Sequence, residues 1–178
     1  MRTSGVLMPI SSLPSPYGIG TMGKDAKKFV DFLEKGGQKY WQILPICPTS
    51  YGDSPYQSFS SFAGNPYFID LDYLCKDKLL TQKECESYDW GKSAKKVDYG
   101  IMYINRYDLL KKAFARFKKN IPDDYSTFCK KEAEWLDEYT LFMALKDAND
   151  GHAWSQWDEQ LKVRNEKAIK EAKEKYAD

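Results

Sequence analysis

Apolar and polar positions change rhythm along the first half of this chain. Residues 5–10, "GVLMPI", are a short apolar run between Gly5 and a Ser/Pro/Gly-rich segment, which is the pattern of a buried strand. In residues 24–37, "KDAKKFVDFLEKGG", Ala26, Phe29, Val30 and Leu33 recur at helical spacing, so one face of a helix is apolar. Gly36 and Gly37 stop that helix, because glycine accepts the left-handed backbone of a C-terminal cap. Residues 40–46, "YWQILPI", read as a second strand. Strand, loop, helix, glycine turn and strand make a βαβ crossover, which builds a parallel sheet with a right-handed connection.

Two polar-aromatic loops, 11–23 ("SSLPSPYGIGTMG") and 47–66, follow the carboxyl ends of these strands. Ligands of parallel α/β folds gather at that end of the sheet. The two loops are therefore expected side by side on one rim.

After Leu71 the pattern turns helical. An amphipathic helix is expected around residues 104–119. A second has Phe128, Trp135, Leu136, Tyr139, Phe142 and Met143 along one side, and a third, highly charged, covers about 158–176. The lysines at 111–119 read as a solvated face, not a membrane-surface helix. The sequence has no internal repeat. The final "RNEKAIKEAKEKYAD" has no Gly, Asn or Pro stop signal, so the chain reads as unfinished.

Composition narrows the function classes. The 178 residues fit one domain by size. The 27 basic and 26 acidic side chains leave a net charge of +1, which argues against nucleic-acid and anionic-membrane partners. No window approaches the roughly 20 apolar residues of a membrane span, and the N-terminal apolar run is too short for a signal peptide; the expected location is cytoplasmic. Cys47, Cys75, Cys85 and Cys129 show no CxxC spacing and read as reduced packing thiols. With His152 as the sole histidine, no transition-metal site is expected.

Aromatic residues make up 15% of the chain, and their position is what matters. The segment "YGDSPYQSFSSFAGNPYFIDL", residues 51–71, interleaves rings with Ser, Gln, Asn, Asp and Gly and holds no cation. A sugar presents C–H faces and hydroxyl edges, so its site needs flat apolar platforms beside neutral or anionic hydrogen-bonding groups. Ser54, Gln57, Ser58 and Asn65 could supply edge contacts, and Asp53 could accept from hydroxyls. Pro55 restricts Ser54 to extended backbone, which would project Tyr56 reproducibly. Phe59 and Phe62 read as packing residues, Gly64 and Pro66 as backbone geometry. The competing reading is an ordered loop plugged into a core, with Ser54 a simple turn residue.

Other chemistries have weaker support. There is no G-x-S-x-G elbow, and a Cys–His pair would have to use His152. "GIGTMG" matches G-x-G-x-x-G, but the loop before it is longer than a dinucleotide turn and "YWQILPI" has no acidic residue at its end.

The segments "SSLPSPYGIGTMG", "KYWQILPICPTSYGDSPYQSFSSFAGNPYFIDL" and "EWLDEYTLFMALK" together resemble the N-terminal part of the 4-alpha-glucanotransferases of glycoside hydrolase family 77, the amylomaltases or disproportionating enzymes. The resemblance runs over essentially the whole chain, and "GDSPYQSFSSFAGNP" is its most specific element. It implies an α/β fold: the N-terminal part of a (β/α)8 TIM barrel with an inserted, mostly helical subdomain, the barrel being incomplete in this chain. Residues 1–71 would be the first βα units with substrate-binding loops, and 72–178 the inserted subdomain.

The activity implied is transfer of α-1,4-glucan segments between maltooligosaccharides by a retaining mechanism. Amylose-type glucans and maltooligosaccharides would be substrates and glucose an acceptor, with no metal or organic cofactor. The family's nucleophilic Asp, acid/base Glu and orienting Asp lie in later barrel strands, with which nothing here aligns. No catalytic residue is therefore nominated, and an N-terminal fragment of this kind is expected to be inactive alone. Carried over by resemblance are Asp53, Ser54 and Tyr56 as donor-cleft residues, and Tyr51 and Tyr103 as an accessory glucan groove; for Tyr103 a core role at a helix start remains open. The alternative function is a stand-alone, non-catalytic α-glucan-binding module.

Overall fold

The parallel pair required by the crossover forms between β1 (Gly5–Leu7) and β2 (Tyr40–Gln42), with Gly5 opposite Tyr40, Val6 opposite Trp41 and Leu7 opposite Gln42. The structure is a computed structural model and describes residues 2–177. Both strands are shorter than the apolar runs that contain them. Pro9 and Pro45 lack the N–H that a ladder needs, so pairing ends before each proline. The expected burial is also incomplete: Gly5 and Leu7 are exposed and Val6 only half-buried. Two strands supply neighbours on one edge only, and a parallel sheet hides its faces only when helices cover both.

Helix α1 (Lys24–Lys35) joins the strands. It ends in a Schellman motif, in which Gln38 N–H donates to Leu33 O and Gly37 N–H to Glu34 O, both at 2.9 Å, with Gly37 at φ +67°. Phe29 on α1 packs edge-on against Trp41 with ring centroids 5.0 Å apart, and Trp41 Nε1 donates to Met8 O at 2.8 Å. Ile10, Leu13 and Ala26 complete this small core.

From Leu71 onward every element is helical: α2 (Leu71–Lys76), α3 (Gln82–Glu86), α4 (Tyr99–Ile101) continuing through a π turn (Met102–Arg106) into α5 (Tyr107–Phe117), then α6 (Asp123–Ala148), α7 (Glu159–Lys162) and α8 (Glu166–Lys175). Compact packing divides the chain into Met1–Ile121 and Pro122–Asp178.

The first unit buries Tyr17, Leu71, Leu80, Cys85 and Leu109 together. Tyr17 therefore ties loop 11–23 to the helices, and its hydroxyl donates to Asp72 Oδ1 at 2.8 Å. Thr81 and Glu84 make a reciprocal capping box on α3. Arg116 clamps Glu84 through both Nη atoms, at 2.9 and 2.5 Å, and also donates to Leu79 O.

The second unit packs Leu141 and Leu145 of α6 against Trp157 and Ala172. The stripe expected on α6 is thus displaced: Phe128 is exposed, and Trp135, Leu136, Tyr139, Phe142 and Met143 are only half-buried. The single charged helix expected over 158–176 is two helices. Arg164 takes φ +54°, and Asn165 accepts from Lys167 N and Ala168 N to start α8 afresh.

Candidate functional site

A cleft of about 110 Å³ opens at the carboxyl ends of both strands. Pro9, Ile10 and Ser11 reach it from β1, Leu44 and Pro45 from β2, and Ile19, Thr49, Asp53 and Asn65 from the two loops. The loops therefore meet on one rim, as the crossover requires. Tyr67 and Tyr99 add phenol rings, and among the described residues no Lys, Arg or His lines the cleft. Such a lining offers no counter-charge to a phosphate.

The 47–64 loop is pinned at its base. Asn65 N–H donates to Ile46 O at 2.8 Å, and the Asn65 side chain accepts from Tyr67 N at 2.9 Å. Within the loop, Asp53 N–H closes a turn onto Ser50 O at 3.1 Å, with Gly52 at φ +93° in the third position that a type II turn reserves for glycine. A second turn runs from Ser54 to Gln57, closed at 3.1 Å, with Pro55 in its second position. Ser54 Oγ accepts from Tyr56 N at 3.3 Å. These consecutive turns hold Tyr51 and Tyr56 outward, 100% and 72% exposed, while Asp53 turns into the cleft.

Electrostatics follow from burial. Desolvation pushes the Asp53 carboxyl above the usual carboxylate range. Tyr99 is raised first by burial, partly offset by a hydrogen bond with Ser11 and reinforced by the Asp53 charge. Tyr67 is raised by burial and then by neighbouring Tyr107 and Asp53. One half-buried carboxylate thus faces two phenols in a cation-free cleft, an arrangement suited to accepting hydrogen bonds from hydroxyls.

Tyr103 stands 66% exposed on the π turn, edge-on to Tyr107 at 5.7 Å. Tyr107 meets Tyr67 at 5.6 Å, and Tyr67 meets Tyr99 at 6.2 Å. Tyr51 makes no ring contact with Tyr103 among the described residues. Sequence reasoning missed Tyr99 and Ser11. The signal for Tyr99 was present: Tyr99, Tyr103 and Tyr107 recur every four residues, which puts them on one helical face.

Several expectations need correction. Asn65, an expected edge contact, lines the cleft while its Oδ1 serves as the cap already described, and Ser58 Oγ donates to Ser60 O at 2.8 Å. Phe62, expected to pack, is exposed; Ser60 Oγ accepts from both Phe62 N and Ala63 N, and Ala63 fills the inside of that turn. The glycines of "GIGTMG" have no phosphate-binding role. A Cβ on Gly18 would lie 2.3 Å from Trp90 O, one on Gly20 2.0 Å from Ile10 O, and one on Gly23 1.8 Å from Asp70 Oδ2. The start of α1, where a pyrophosphate would bind, faces the Asp70 carboxylate, which accepts from Thr21 Oγ1 at 2.5 Å. No group of metal-ligating side chains occurs among the described residues, and no helix among them is long and apolar enough to cross a membrane.

Comparison with known proteins matches residues 8–178 to the glycoside hydrolase 77 family, described as 4-alpha-glucanotransferase. A 4-alpha-glucanotransferase of Clostridium butyricum is 48% identical over 171 residues, covering 96% of this chain and 34% of that protein. One of Thermus thermophilus is 46% identical over 181 residues, covering 99% and 35% respectively. Among solved structures, the amylomaltase from Streptococcus agalactiae in complex with acarbose superposes with a TM-score of 0.93 at 39% identity, over 99% of this chain and 36% of that one. The chain spans about a third of the length of the curated relatives it matches.

Proposed function

The chain belongs to the glycoside hydrolase 77 family of 4-alpha-glucanotransferases, and from that premise we propose that it supplies the glucan-gripping rim of an enzyme that transfers α-1,4-glucan segments between maltooligosaccharides. In this reading β1 and β2 are the first strands of a (β/α)8 barrel, and residues 72–178 are a helical insertion. Maltooligosaccharides and amylose-type glucans are donors and acceptors, glucose is a further acceptor, and the location is cytoplasmic. Transfer with retention needs two carboxylates about 5–5.5 Å apart, one as nucleophile and one as acid and then base. We assign neither to a residue of this chain.

Asp53, Ser54 and Tyr56 are the proposed donor-side contacts, and Tyr51 and Tyr103 the accessory groove. The observation that carries this reading is the pair of turns at 50–57, which holds Tyr51 and Tyr56 open to solvent and directs Asp53 into a cation-free cleft. A hexose needs this combination: a ring platform for its C–H face and an acceptor for its hydroxyls. The Streptococcus agalactiae amylomaltase structure is a complex with acarbose, which supports a carbohydrate as the substrate class.

The test is titration of the protein with maltoheptaose, followed by calorimetry. Saturable binding is expected, weakened on the order of tenfold by Tyr56→Ala, the loss of one aromatic platform. Saturable binding left unchanged by both Tyr56→Ala and Asp53→Asn would move the sugar elsewhere and overturn the assignment.

A further inference from the structure

Cys75 and Cys85 are in contact, with their Sγ atoms 3.6 Å apart. Cys75 lies in the last turn of α2 and is partly exposed; Cys85 lies in α3 and is buried among Tyr17, Leu71, Leu80 and Leu109. The connection between them is held on both sides. Leu79 N and Leu80 N both donate to Leu74 O, at 2.9 and 3.2 Å, and the Thr81–Glu84 capping box is clamped by Arg116. A disulfide has a bond of about 2.05 Å, so closure asks the two sulfurs to approach from 3.6 Å.

We propose that Cys75 and Cys85 form a reversible dithiol–disulfide couple, oxidised by a low-molecular-weight disulfide such as glutathione disulfide. Access orders the steps. The Cys75 thiolate attacks one sulfur of the small disulfide, forming a mixed disulfide and releasing one small thiolate, which takes up a proton. Cys85 Sγ, on losing its proton, then attacks Cys75 Sγ, forms the Cys75–Cys85 bond and expels the second small thiolate, which is protonated in turn. Two protein thiols are oxidised by two electrons and one small disulfide is reduced to two thiols. Burial, followed by the hydrogen bond with Cys75, pushes the Cys85 thiol up to about 12, so the second step accelerates as pH rises.

The couple lies beneath the cleft loop. Trp90 Nε1 donates to Cys85 O at 2.7 Å, and Trp90 O lies against Gly18, the neighbour of the cleft residue Ile19. The oxidised form ties α2 to α3 at this point.

The experiment exposes the folded protein to graded ratios of glutathione disulfide to glutathione, blocks remaining thiols with iodoacetamide and digests with trypsin. Lys76, Lys78 and Lys83 lie between the two cysteines, so their peptides separate unless the bond has formed. The expected result is a linked peptide pair carrying Cys75 and Cys85, loss of about 2 Da from the intact chain, reversal by dithiothreitol, and a melting temperature higher by on the order of 5 °C. Cys75→Ser abolishes the linkage, and Cys85→Ala arrests the reaction with glutathione on Cys75. Alkylation of both cysteines after oxidation, or linkage that arises only in urea, overturns the proposal. So does a persistent mixed disulfide on Cys75 in the unsubstituted protein at pH 9.

Discussion

Arg106 spans from the π turn to the main chain of the cleft wall, where its Nη2 donates to Tyr67 O at 3.1 Å and also to Ile69 O. The side chain is fully buried, and its Nε and Nη1 have no hydrogen-bond partner. Burial lowers the guanidinium to about 10, while the Trp90 ring, 5.9 Å from Cζ, offers the cation a π face. A single side chain thus fastens the segment that carries Tyr67 and Asp70 to the helix that carries Tyr103. Arg106→Ala opens a cavity and leaves two carbonyls unpaired, so a loss of about 3–5 kcal/mol is expected. Arg106→Met keeps the volume and removes the poorly solvated cation, so it should recover about 1–2 kcal/mol of that loss. Urea titrations of the three proteins decide it; an alanine variant as stable as the methionine variant would show that volume is irrelevant here.

Glycines in the first loop provide a sharper contrast. A Cβ on Gly20 would lie 2.0 Å from Ile10 O and 2.7 Å from Leu13 N, both backbone atoms that cannot swing aside. Gly64 sits in a loop of similar composition, yet a Cβ there meets nothing within 4 Å. Gly20→Ala should lower stability by at least about 2 kcal/mol, and Gly64→Ala by less than about 0.5 kcal/mol. Thermal melts of both variants test whether the "GIGTMG" glycines serve close packing.

The βαβ unit could be read in advance because its signals are local: two apolar runs, one amphipathic stretch and a glycine stop at Gly36–Gly37. The rim location of the loops followed from strand polarity alone. What escaped were features set by position in space. The strand faces stay exposed because only α1 covers them. The break at Arg164–Asn165 is signalled by a capping residue inside a run that is otherwise helical in composition. Tyr99 enters the cleft from a helix far along the chain, and no loop composition announces it. The Thr81-x-x-Glu84 box, by contrast, was open to reading and marks α3 plainly.

That box leads to a pH dependence. Glu84 is held down to about 2, first by Arg116 and then by Thr81. Its folded-state value lies below the unfolded one, near 4.3, so the unfolded chain binds the proton more readily. The stabilisation is present above pH 4.3 and is lost as pH falls through about 2. Glu84→Gln should therefore melt below the unsubstituted protein at pH 7, with the gap closing across this window. A gap that persists unchanged at pH 2 would assign the effect to packing.

Asp53 works in the opposite sense. Desolvation raises its carboxyl in the folded chain, so over the window just above the ordinary carboxylate value the unfolded chain holds fewer protons than the folded one. Stability falls as pH rises through that window and stays reduced above it. The residue also adopts φ +56°, a conformation that asparagine tolerates as well as aspartate. Asp53→Asn removes the ionisation at no backbone cost, and should melt higher than the unsubstituted protein at pH 7 and equally at pH 3. The same substitution removes a charged acceptor from the cleft, so maltoheptaose binding should weaken where stability improves. A stability gain with a matching loss of binding is the pattern of a carboxylate kept in place for a ligand at the expense of the fold. Equal stability at both pH values would show that Asp53 is solvated and free of that cost.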